Sequence, residues 1–199
     1  MTSKERVLAA LRFECTDKVP IHHVGFSSDV ATVLIGREAY VGGGIQQWRE
    51  ATAHWNGPDA HAEFVERSYR DAVDVALAAG NDIIRPSYWR YDRVPTKKID
   101  DNTFLYEYGP EEDWRVLKYD PGSEQCDIVS YKPRPEATFA TIEHEVAAAE
   151  AAVSQRRPAE TGHAFERRAM EELGDRYEIR VGGVGMGVPL RGIEIWLEA

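Results

Sequence analysis

The change from helix to strand that decides the fold lies in residues 79–86, which read AGNDIIRP. An amphipathic helical pattern runs from Pro58 to Gly80, with its apolar residues on one stripe and its charged residues elsewhere. The short apolar pair Ile83 and Ile84 follows at once and predicts a strand that the chain reaches without a hairpin. Helices that lead directly into strands are typical of parallel α/β sheets and barrels.

The same order of elements recurs on both sides of this stretch. Residues 2–5 have the spacing of a capping box, which predicts an opening helix that ends near Phe13. Residues 21–26, IHHVGF, predict a strand because they are rich in β-branched and aromatic types, and a helix ending at Gly36 is expected after them. Further helices are predicted over residues 45–55, 141–155, 163–173 and 190–197, with a strand over residues 177–181 and a glycine-rich turn over residues 182–187.

Between the two halves of this pattern the hydrophobic period changes from 3.6 to 2. Residues 97–132 carry alternating aromatic and polar side chains, separated by turn sequences, and predict a three-stranded antiparallel meander. We therefore predict one α/β domain over residues 1–199, with residues 97–132 inserted in it. About three barrel-type strands are visible, whereas a complete (β/α)₈ barrel takes about 250 residues. The chain is thus expected to be either a smaller α/β sheet or the N-terminal portion of a TIM barrel.

The composition is that of an acidic globular protein. The chain has 199 residues, with 24 Lys and Arg against 34 Asp and Glu, which gives a net charge of −10. That charge repels phosphate backbones, so nucleic acid is not expected as a partner. No apolar run approaches the roughly 20 residues of a membrane span, and no secretory signal opens the chain, so we expect no membrane partner and a cytoplasmic location. Cys15 and Cys126 lie far apart and are expected to be free thiols.

Several stretches resemble the uroporphyrinogen decarboxylase family. Residues 5–12, ERVLAALR, and residues 17–21, DKVPI, are similar to its N-terminal signature. Residues 79–84, the antiparallel insertion and residues 187–194, GVPLRGIE, then follow in the order expected for that family. The resemblance covers nearly the whole chain and implies a TIM barrel of the (β/α)₈ type, of which roughly the second half would be missing here. The family also contains corrinoid-dependent methyltransferases with the same fold.

Two departures from the family pattern favour the methyltransferase branch. Decarboxylase members are expected to carry an arginine-rich loop after the first strand for the carboxylates of their substrate, whereas residues 25–29 read GFSSD and Arg37 stands alone. Decarboxylases also place a tyrosine on the helix after the Gly-x-Pro turn, where residues 194–196 read EIW. The resemblance therefore implies a methyltransferase-like enzyme that moves a methyl group between a small methylated substrate and a corrinoid.

That branch implies a corrinoid and a zinc ion as cofactors and a corrinoid protein as partner. Its zinc ligands are a His-x-Cys pair and a distant Cys, and no stretch of this sequence matches them, so we assign no metal ligand. Two alternatives stay open. One is a uroporphyrinogen decarboxylase of porphyrin biosynthesis, which needs no cofactor, and the other is a non-catalytic truncated barrel or subunit that associates with itself, for instance as a homodimer.

Asp82 is the candidate catalytic residue. It matches an aspartate that precedes an isoleucine in the family, and the resemblance implies that this aspartate orients the pyrrole N–H groups of the substrate in decarboxylases. A carboxylate at the mouth of a barrel can also act as a general base. The alternative is a turn residue between helix and strand, a position where aspartate is common.

Four further residues are candidates for substrate binding. His22 and His23 are adjacent on a predicted strand, so their side chains point to opposite faces and only one can enter the site. The alternative for the histidines is a pair of packed core residues. Arg85 and Tyr88 follow the second predicted strand, where the loops of a barrel form the active site. The alternative for this second pair is packing between the insertion and the barrel.

Overall fold

The computed structural model describes residues 1–109, 113–133, 138–155 and 163–181. The chain divides into two compact units, of which the first comprises Met1–Lys132 and His163–Val181. The helices are α1 (Ser3–Leu11), α2 (Ser28–Ile35), α3 (Gly44–Asn56), α4 (Pro58–Ala78), α5 (Phe139–Gln155) and α6 (Ala164–Leu173). The strands are β1 (Ile83–Ile84), β2 (Lys97–Asp100), β3 (Thr103–Glu107), β4 (Trp114–Asp120), β5 (Gln125–Tyr131) and β6 (Glu178–Ile179). Helix α5 belongs to the second unit, and all the other elements belong to the first.

The helices begin and end where the local sequence predicts. The capping box forms at α1, because the Thr2 hydroxyl accepts the Glu5 N–H and the Glu5 carboxylate accepts the Thr2 N–H. Helix α2 ends at Gly36, whose φ of 68° is the left-handed conformation that favours glycine. The predicted helices over residues 45–55, 141–155 and 163–173 are confirmed as α3, α5 and α6. The predicted turn over residues 182–187 and helix over residues 190–197 lie outside the described residues.

Two strands that are far apart in the chain form the parallel pair of the first unit. β1 pairs with β6, and Ile83 is opposite Glu178 while Ile84 is opposite Ile179. The Arg180 N–H continues this pairing by donating to the Ile84 carbonyl at 2.8 Å. The predicted helix-to-strand change after α4 is therefore confirmed, and so is the strand predicted over residues 177–181, in a shorter form.

Residues 21–26 are extended but do not form the predicted strand. The Ile21 carbonyl accepts the Asp82 N–H at 2.7 Å, and the contacts of His22 with Ile83 and of Val24 with Arg85 follow in the same chain order, so the segment lies beside β1 in the parallel direction. Beyond that point, side chains take the place of backbone donors and acceptors. The Arg85 guanidinium donates to the Val24 carbonyl at 2.5 Å, and the His22 ring contacts the Ile83 carbonyl at 3.2 Å. The prediction of a regular strand is wrong because these side chains occupy the groups that a strand ladder would use.

The antiparallel insertion has four strands in the order β2-β3-β4-β5, not the three predicted. The sequence analysis missed β2 because its residues, KKID, are polar and largely exposed and show no apolar alternation. β3 and β4 pair in regular register from Thr103 opposite Lys118 to Glu107 opposite Trp114. The antiparallel character of residues 97–132 is confirmed, and only the strand count is corrected.

Three apolar clusters stabilise the first unit, and α4 contributes to two of them. The first lies between α4, α6 and the β1–β6 pair, and the second between α2, α4 and the loop after β1. The third lies between α3 and the meander and consists of Ala51, Phe104, Tyr106 and Leu117, with Trp48, Tyr91, Tyr108 and Cys126 packed against it. The meander is thus joined to the helical layer through α3.

The α/β class is confirmed, since helices and strands mix in the first unit and its long-range strand pair is parallel. The described residues form no closed barrel. In this part of the chain, none of the helices is both long enough and apolar enough to cross a membrane.

Candidate functional site

Asp82 lies at the start of β1 and is almost fully buried, with 1% of its surface exposed. One carboxylate oxygen accepts the Ser3 hydroxyl at 2.7 Å and contacts the Arg6 guanidinium, and the other accepts the Ile21 N–H at 2.9 Å. Arg6 also binds Asp17 through its Nε, at 2.6 Å. Both Asp82 oxygens therefore accept hydrogen bonds that connect α1 and the extended segment to β1.

Two opposing effects set the pKa of Asp82. Burial alone raises the pKa of this carboxyl, but the hydrogen bonds from Ser3, Ile21 and Arg6 outweigh that effect, and the pKa is lowered. The group is therefore ionised at neutral pH, where it serves as an acceptor for three donors. The catalytic role remains a prediction, and the contacts give this carboxylate a structural task.

The two histidines have different partners. The His22 ring contacts the Ile83 carbonyl through Nδ1 at 3.2 Å and Arg180 through Nε2 at 3.4 Å. Burial lowers the pKa of His22, despite the contact with the Ile83 carbonyl, and the nearby positive charge of Arg180 adds to the lowering. The His23 ring contacts the Asn81 side-chain oxygen through Nδ1 at 2.7 Å. Each ring is thus tied to residues at or next to the start of β1.

Arg85 and Tyr88 line a cleft of about 360 Å³ at the carboxyl end of β1. The Arg85 guanidinium lies 4.9 Å from the Tyr88 ring centroid and 5.8 Å from that of Trp89. Its Nε donates to the Ser87 carbonyl at 2.8 Å, which fixes its direction. The other residues that line the cleft are Val24, Gly25, Phe26, Ser27, Gly42, Gly43, Ser123, Glu124 and Gln125.

The cleft has one cation and one anion among its described residues. Burial lowers the pKa of Arg85 and raises the pKa of Tyr88. The Glu124 carboxylate accepts the Ser28 N–H at 3.1 Å and contacts the Ser28 hydroxyl, at the N-terminus of α2. A negative charge at this end of a helix is favourable. The cleft therefore offers a guanidinium and aromatic rings to a ligand and a carboxylate that repels additional negative charge.

Two of the glycines that line the cleft stand where a side chain would not be accommodated. Gly42 has a φ of 132°, which side chains rarely adopt. A Cβ at Gly43 would lie 3.1 Å from the Trp89 ring, closer than ordinary contact. The indole itself is 64% exposed.

The structure brings together two of the five residues that the sequence nominates. Arg85 and Tyr88 share the cleft, whereas Asp82, His22 and His23 are not among its lining residues. Sequence reasoning missed Glu124, which comes to the cleft from the turn between β4 and β5. Its φ of 54° is left-handed and has no signal in the sequence, because the residue there is not glycine.

A second group of polar residues comes from α3, α4 and the loop after β1. Glu50, His54, His61 and Asp92 place one potential ligand atom each within 4.8 Å of one another. The sequence analysis assigned no metal ligand. Its only available signal was the spacing of Glu50 and His54, which puts both on one face of α3.

Comparison of the chain with protein-family models, with curated proteins and with solved structures gives no match.

Proposed function

We propose that the cleft at the carboxyl end of β1 binds a small methylated molecule and that the chain is a methyltransferase-like enzyme of the uroporphyrinogen decarboxylase type. One observation carries the proposal: a single guanidinium, that of Arg85, lies over two aromatic rings in the cleft at the carboxyl end of β1. In (β/α)₈ barrels, the loops at the carboxyl ends of the strands form the active site. Such a group binds one carboxylate or a flat apolar ring.

The barrel part of the proposal rests on the order of the parallel segments. The extended residues 21–26 lie beside β1, and β1 lies beside β6, so that neighbours in space follow the order of the chain. Successive strands of a (β/α)₈ barrel are neighbours in the same way. We propose that these three segments are the first three strand positions of such a barrel.

The alternative substrate, a polycarboxylate such as uroporphyrinogen, is less well supported by the charges. Several fixed guanidinium groups are needed to replace the water around many carboxylates. Arg85 is the only cation among the described residues that line the cleft, and Glu124 faces the same space. Arg37 binds Asp71 and Asp74 at 2.6 and 2.7 Å and is thereby engaged elsewhere.

The cysteines that the structure describes do not fit the zinc thiolate site that the methyltransferase branch implies. Cys15 is exposed and follows α1, whereas Cys126 lies in β5, and neither belongs to a group of potential metal ligands in the described residues. Burial raises the pKa of Cys126 to about 11, which disfavours the thiolate that binds zinc. We derive no step through such a zinc ion. A corrinoid would supply the methyl-accepting cobalt, and a corrinoid protein or a second copy of the chain is proposed as partner.

The test is ligand binding by the full chain, followed by its intrinsic tryptophan fluorescence, with Trp89→Ala to identify the contribution of Trp89, and by ligand-observed NMR. We expect 4-methoxybenzoate, a methylated aromatic ring with one carboxylate, to bind more tightly than uncharged anisole. Benzene-1,2,4,5-tetracarboxylate is expected not to bind. Incubation with cob(I)alamin and 4-methoxybenzoate should then break the methyl C–O bond, giving methylcob(III)alamin, recorded by its visible spectrum, and releasing 4-hydroxybenzoate.

Variants distinguish ligand binding in the cleft from binding elsewhere on the surface. Arg85→Gln should weaken 4-methoxybenzoate binding at least tenfold, and Trp89→Ala should weaken the binding of both 4-methoxybenzoate and anisole. Arg70→Gln, on the exposed face of α4, should change neither affinity. Tighter binding of the tetracarboxylate would favour the decarboxylase alternative. Failure of all three ligands to bind the folded chain would favour the non-catalytic alternative.

A further inference from the structure

We propose that Glu50, His54, His61 and Asp92 form a binding site for a divalent transition metal ion of the zinc class. Two imidazole nitrogens and two carboxylate oxygens are ligands that zinc accepts in proteins. All four ligand atoms lie within 4.8 Å of one another. The site is separate from the cleft of the proposed function, because none of the four residues lines that cleft.

The separations between the ligand atoms are close to those of a tetrahedral ion. Zinc bonds of about 2.0–2.1 Å to nitrogen and oxygen place tetrahedral ligand atoms about 3.3 Å apart. His61 Nε2 lies 3.2 Å from Glu50 Oε1, and His54 Nε2 lies 3.2 Å from Asp92 Oδ1. His61 Nε2 lies 3.7 Å from the same Asp92 oxygen. An ion can therefore be accommodated by small side-chain rotations.

The corner between α3 and α4 builds the site. Glu50 and His54 are four residues apart on α3 and therefore project from one face of the helix. At Gly57 the chain turns, with a φ of 112°, and Pro58 starts α4. His61 consequently faces His54, and the two rings stack with centroids 3.6 Å apart. The geometry of the two helices thus fixes the positions of three of the four ligands.

Asp92 belongs to the loop after β1, which also contributes residues that line the cleft. It follows Tyr91, whose N–H donates to Glu50 Oε2 at 2.8 Å and positions the loop. The Asp92 side chain is 65% exposed, whereas Glu50 is fully buried. The site is therefore closed on the Glu50 side and open to solvent on the Asp92 side, which gives an ion a path of entry.

The charges around the cluster favour a divalent cation. Among the described residues, Arg90 is the permanent cation in contact: its Nε lies 2.9 Å from Glu50 Oε1, its Nη2 also contacts that oxygen, and Nη2 lies 3.8 Å from Asp92. Two carboxylates and one guanidinium leave one negative charge in excess when both imidazoles are neutral.

A metal ion at this place would connect the cleft-lining loop to rigid helices. Trp89 lies in the cleft and Asp92 in the cluster, only three residues further along the chain. Binding of the ion to Asp92 would therefore restrict the motion of this loop against α3 and α4. The proposal rests on the cluster alone, and its test requires no substrate.

The test is titration of the metal-free full chain with Co²⁺, which substitutes for zinc and reports its ligands by visible absorption. We expect one equivalent to bind with the intense d–d bands of a four-coordinate ion, and one equivalent of Zn²⁺ to abolish the bands. His61→Gln and Asp92→Asn should each weaken Co²⁺ binding at least tenfold. His144→Gln, at an exposed histidine of α5, should leave it unchanged.

Two further measurements distinguish a loss of metal binding from a loss of the folded structure. Far-ultraviolet circular dichroism should be the same for the parent chain and for both cluster variants. Zn²⁺ should raise the melting temperature of the parent chain and of His144→Gln but not that of His61→Gln. The proposal is overturned if no stoichiometric Co²⁺ binds, or if His61→Gln and Asp92→Asn bind it as tightly as the His144 control does.

Discussion

Asp82 and Glu50 are both buried carboxylates, and their surroundings differ in the kind of partner each one has. Asp82 accepts hydrogen bonds from a hydroxyl, a backbone N–H and the Arg6 guanidinium, and no imidazole is among these partners. Glu50 also has a guanidinium and a backbone N–H, but its third partner is the imidazole of His61. Both carboxylates are almost fully buried, and the two sites differ in that only Glu50 has an imidazole among these partners.

This difference separates a structural ion pair from a potential ligand site. A buried carboxylate whose lone pairs are taken by fixed donors stabilises the elements it connects and is costly to remove. A buried carboxylate beside neutral imidazoles can exchange a hydrogen bond for a metal bond. We therefore expect the Asp82 region to respond to mutation through stability and the Glu50 region to respond through metal binding.

Replacement of Asp82 should give the largest loss of stability. Asp82→Ala leaves the Arg6 guanidinium without a buried partner, and we expect a loss of about 3 kcal/mol in the free energy of unfolding. The value is at the lower end for a broken buried pair because Arg6 keeps Asp17. Urea denaturation measures it. Asp74→Ala, which removes an exposed partner of Arg37, is the control and should cost less than about 1 kcal/mol.

The opposite outcome for Asp82 would be equally informative. If Asp82→Ala were as stable as the parent chain but bound 4-methoxybenzoate poorly, the predicted functional role would be supported and the structural one rejected.

Replacement of Glu50 should have a smaller effect in the absence of metal. Glu50→Gln keeps the shape of the side chain and loses its charge-assisted hydrogen bonds to Arg90, and we expect a loss of about 2 kcal/mol. Glu66→Gln on α4, where Arg168 and Arg70 are exposed partners, is the matched control, with an expected loss below about 1 kcal/mol. Urea denaturation in EDTA measures both. If Glu50→Gln and Glu66→Gln lost equal free energies of unfolding, the buried contacts of Glu50 would contribute no more than the exposed ones of Glu66.

Acid should remove the contribution of Asp82 progressively. Its pKa in the folded chain lies below the ordinary value of 3.8, so the carboxylate stabilises the fold above that value, and the contribution is lost as the pH falls from 3.8 through the folded pKa. The stability difference between the parent chain and Asp82→Asn should therefore be constant from pH 7 to about 5 and shrink at lower pH. Denaturation at a series of pH values measures it. A difference that grew in acid would contradict the assigned direction.

The two cysteine thiols should react at different rates in the native chain, and the comparison needs no substitution. Cys15 is exposed and follows α1, whereas Cys126 lies in β5 and packs against the apolar cluster between α3 and the meander. Burial, followed by the charge of Asp127, raises the pKa of Cys126 to about 11, so at pH 8 its thiol should react with a disulfide reagent on the order of 100-fold more slowly than Cys15. If both thiols of the native chain reacted equally fast, Cys126 in β5 would be accessible to the reagent and the assigned burial would be wrong. Reaction in denaturant provides the control.

The sequence predicted the helices well because their limits are set locally. Thr2 and Glu5 cap α1, and Gly36 ends α2, through contacts within a few residues. The strand predicted over residues 21–26 failed because the Arg85 side chain, 61 positions away from Val24, takes a carbonyl that a regular ladder would use. No local pattern in residues 21–26 carries that information.

The candidate site was predicted in part for the same reason. Arg85 and Tyr88 follow β1 directly, so the position of the strand was enough to nominate them. The group of Glu50, His61 and Asp92 combines two helices and a loop, and only the folded chain brings its members together. The spacing of Glu50 and His54 on one helix face was visible in the sequence, but such spacing is common on exposed helices.

The pairing of β1 with β6 has a consequence for the order of folding. Ile83 and Glu178 are opposite each other although their numbers differ by 95, whereas the meander pairs strands that are joined by short connections. Closing a long loop costs more chain entropy and is slow, and local pairings form first. We expect pulsed hydrogen exchange to protect β3 and β4 early in refolding and the Arg180 amide late. The meander, inserted between the parallel strands, would then be the folding nucleus onto which they assemble.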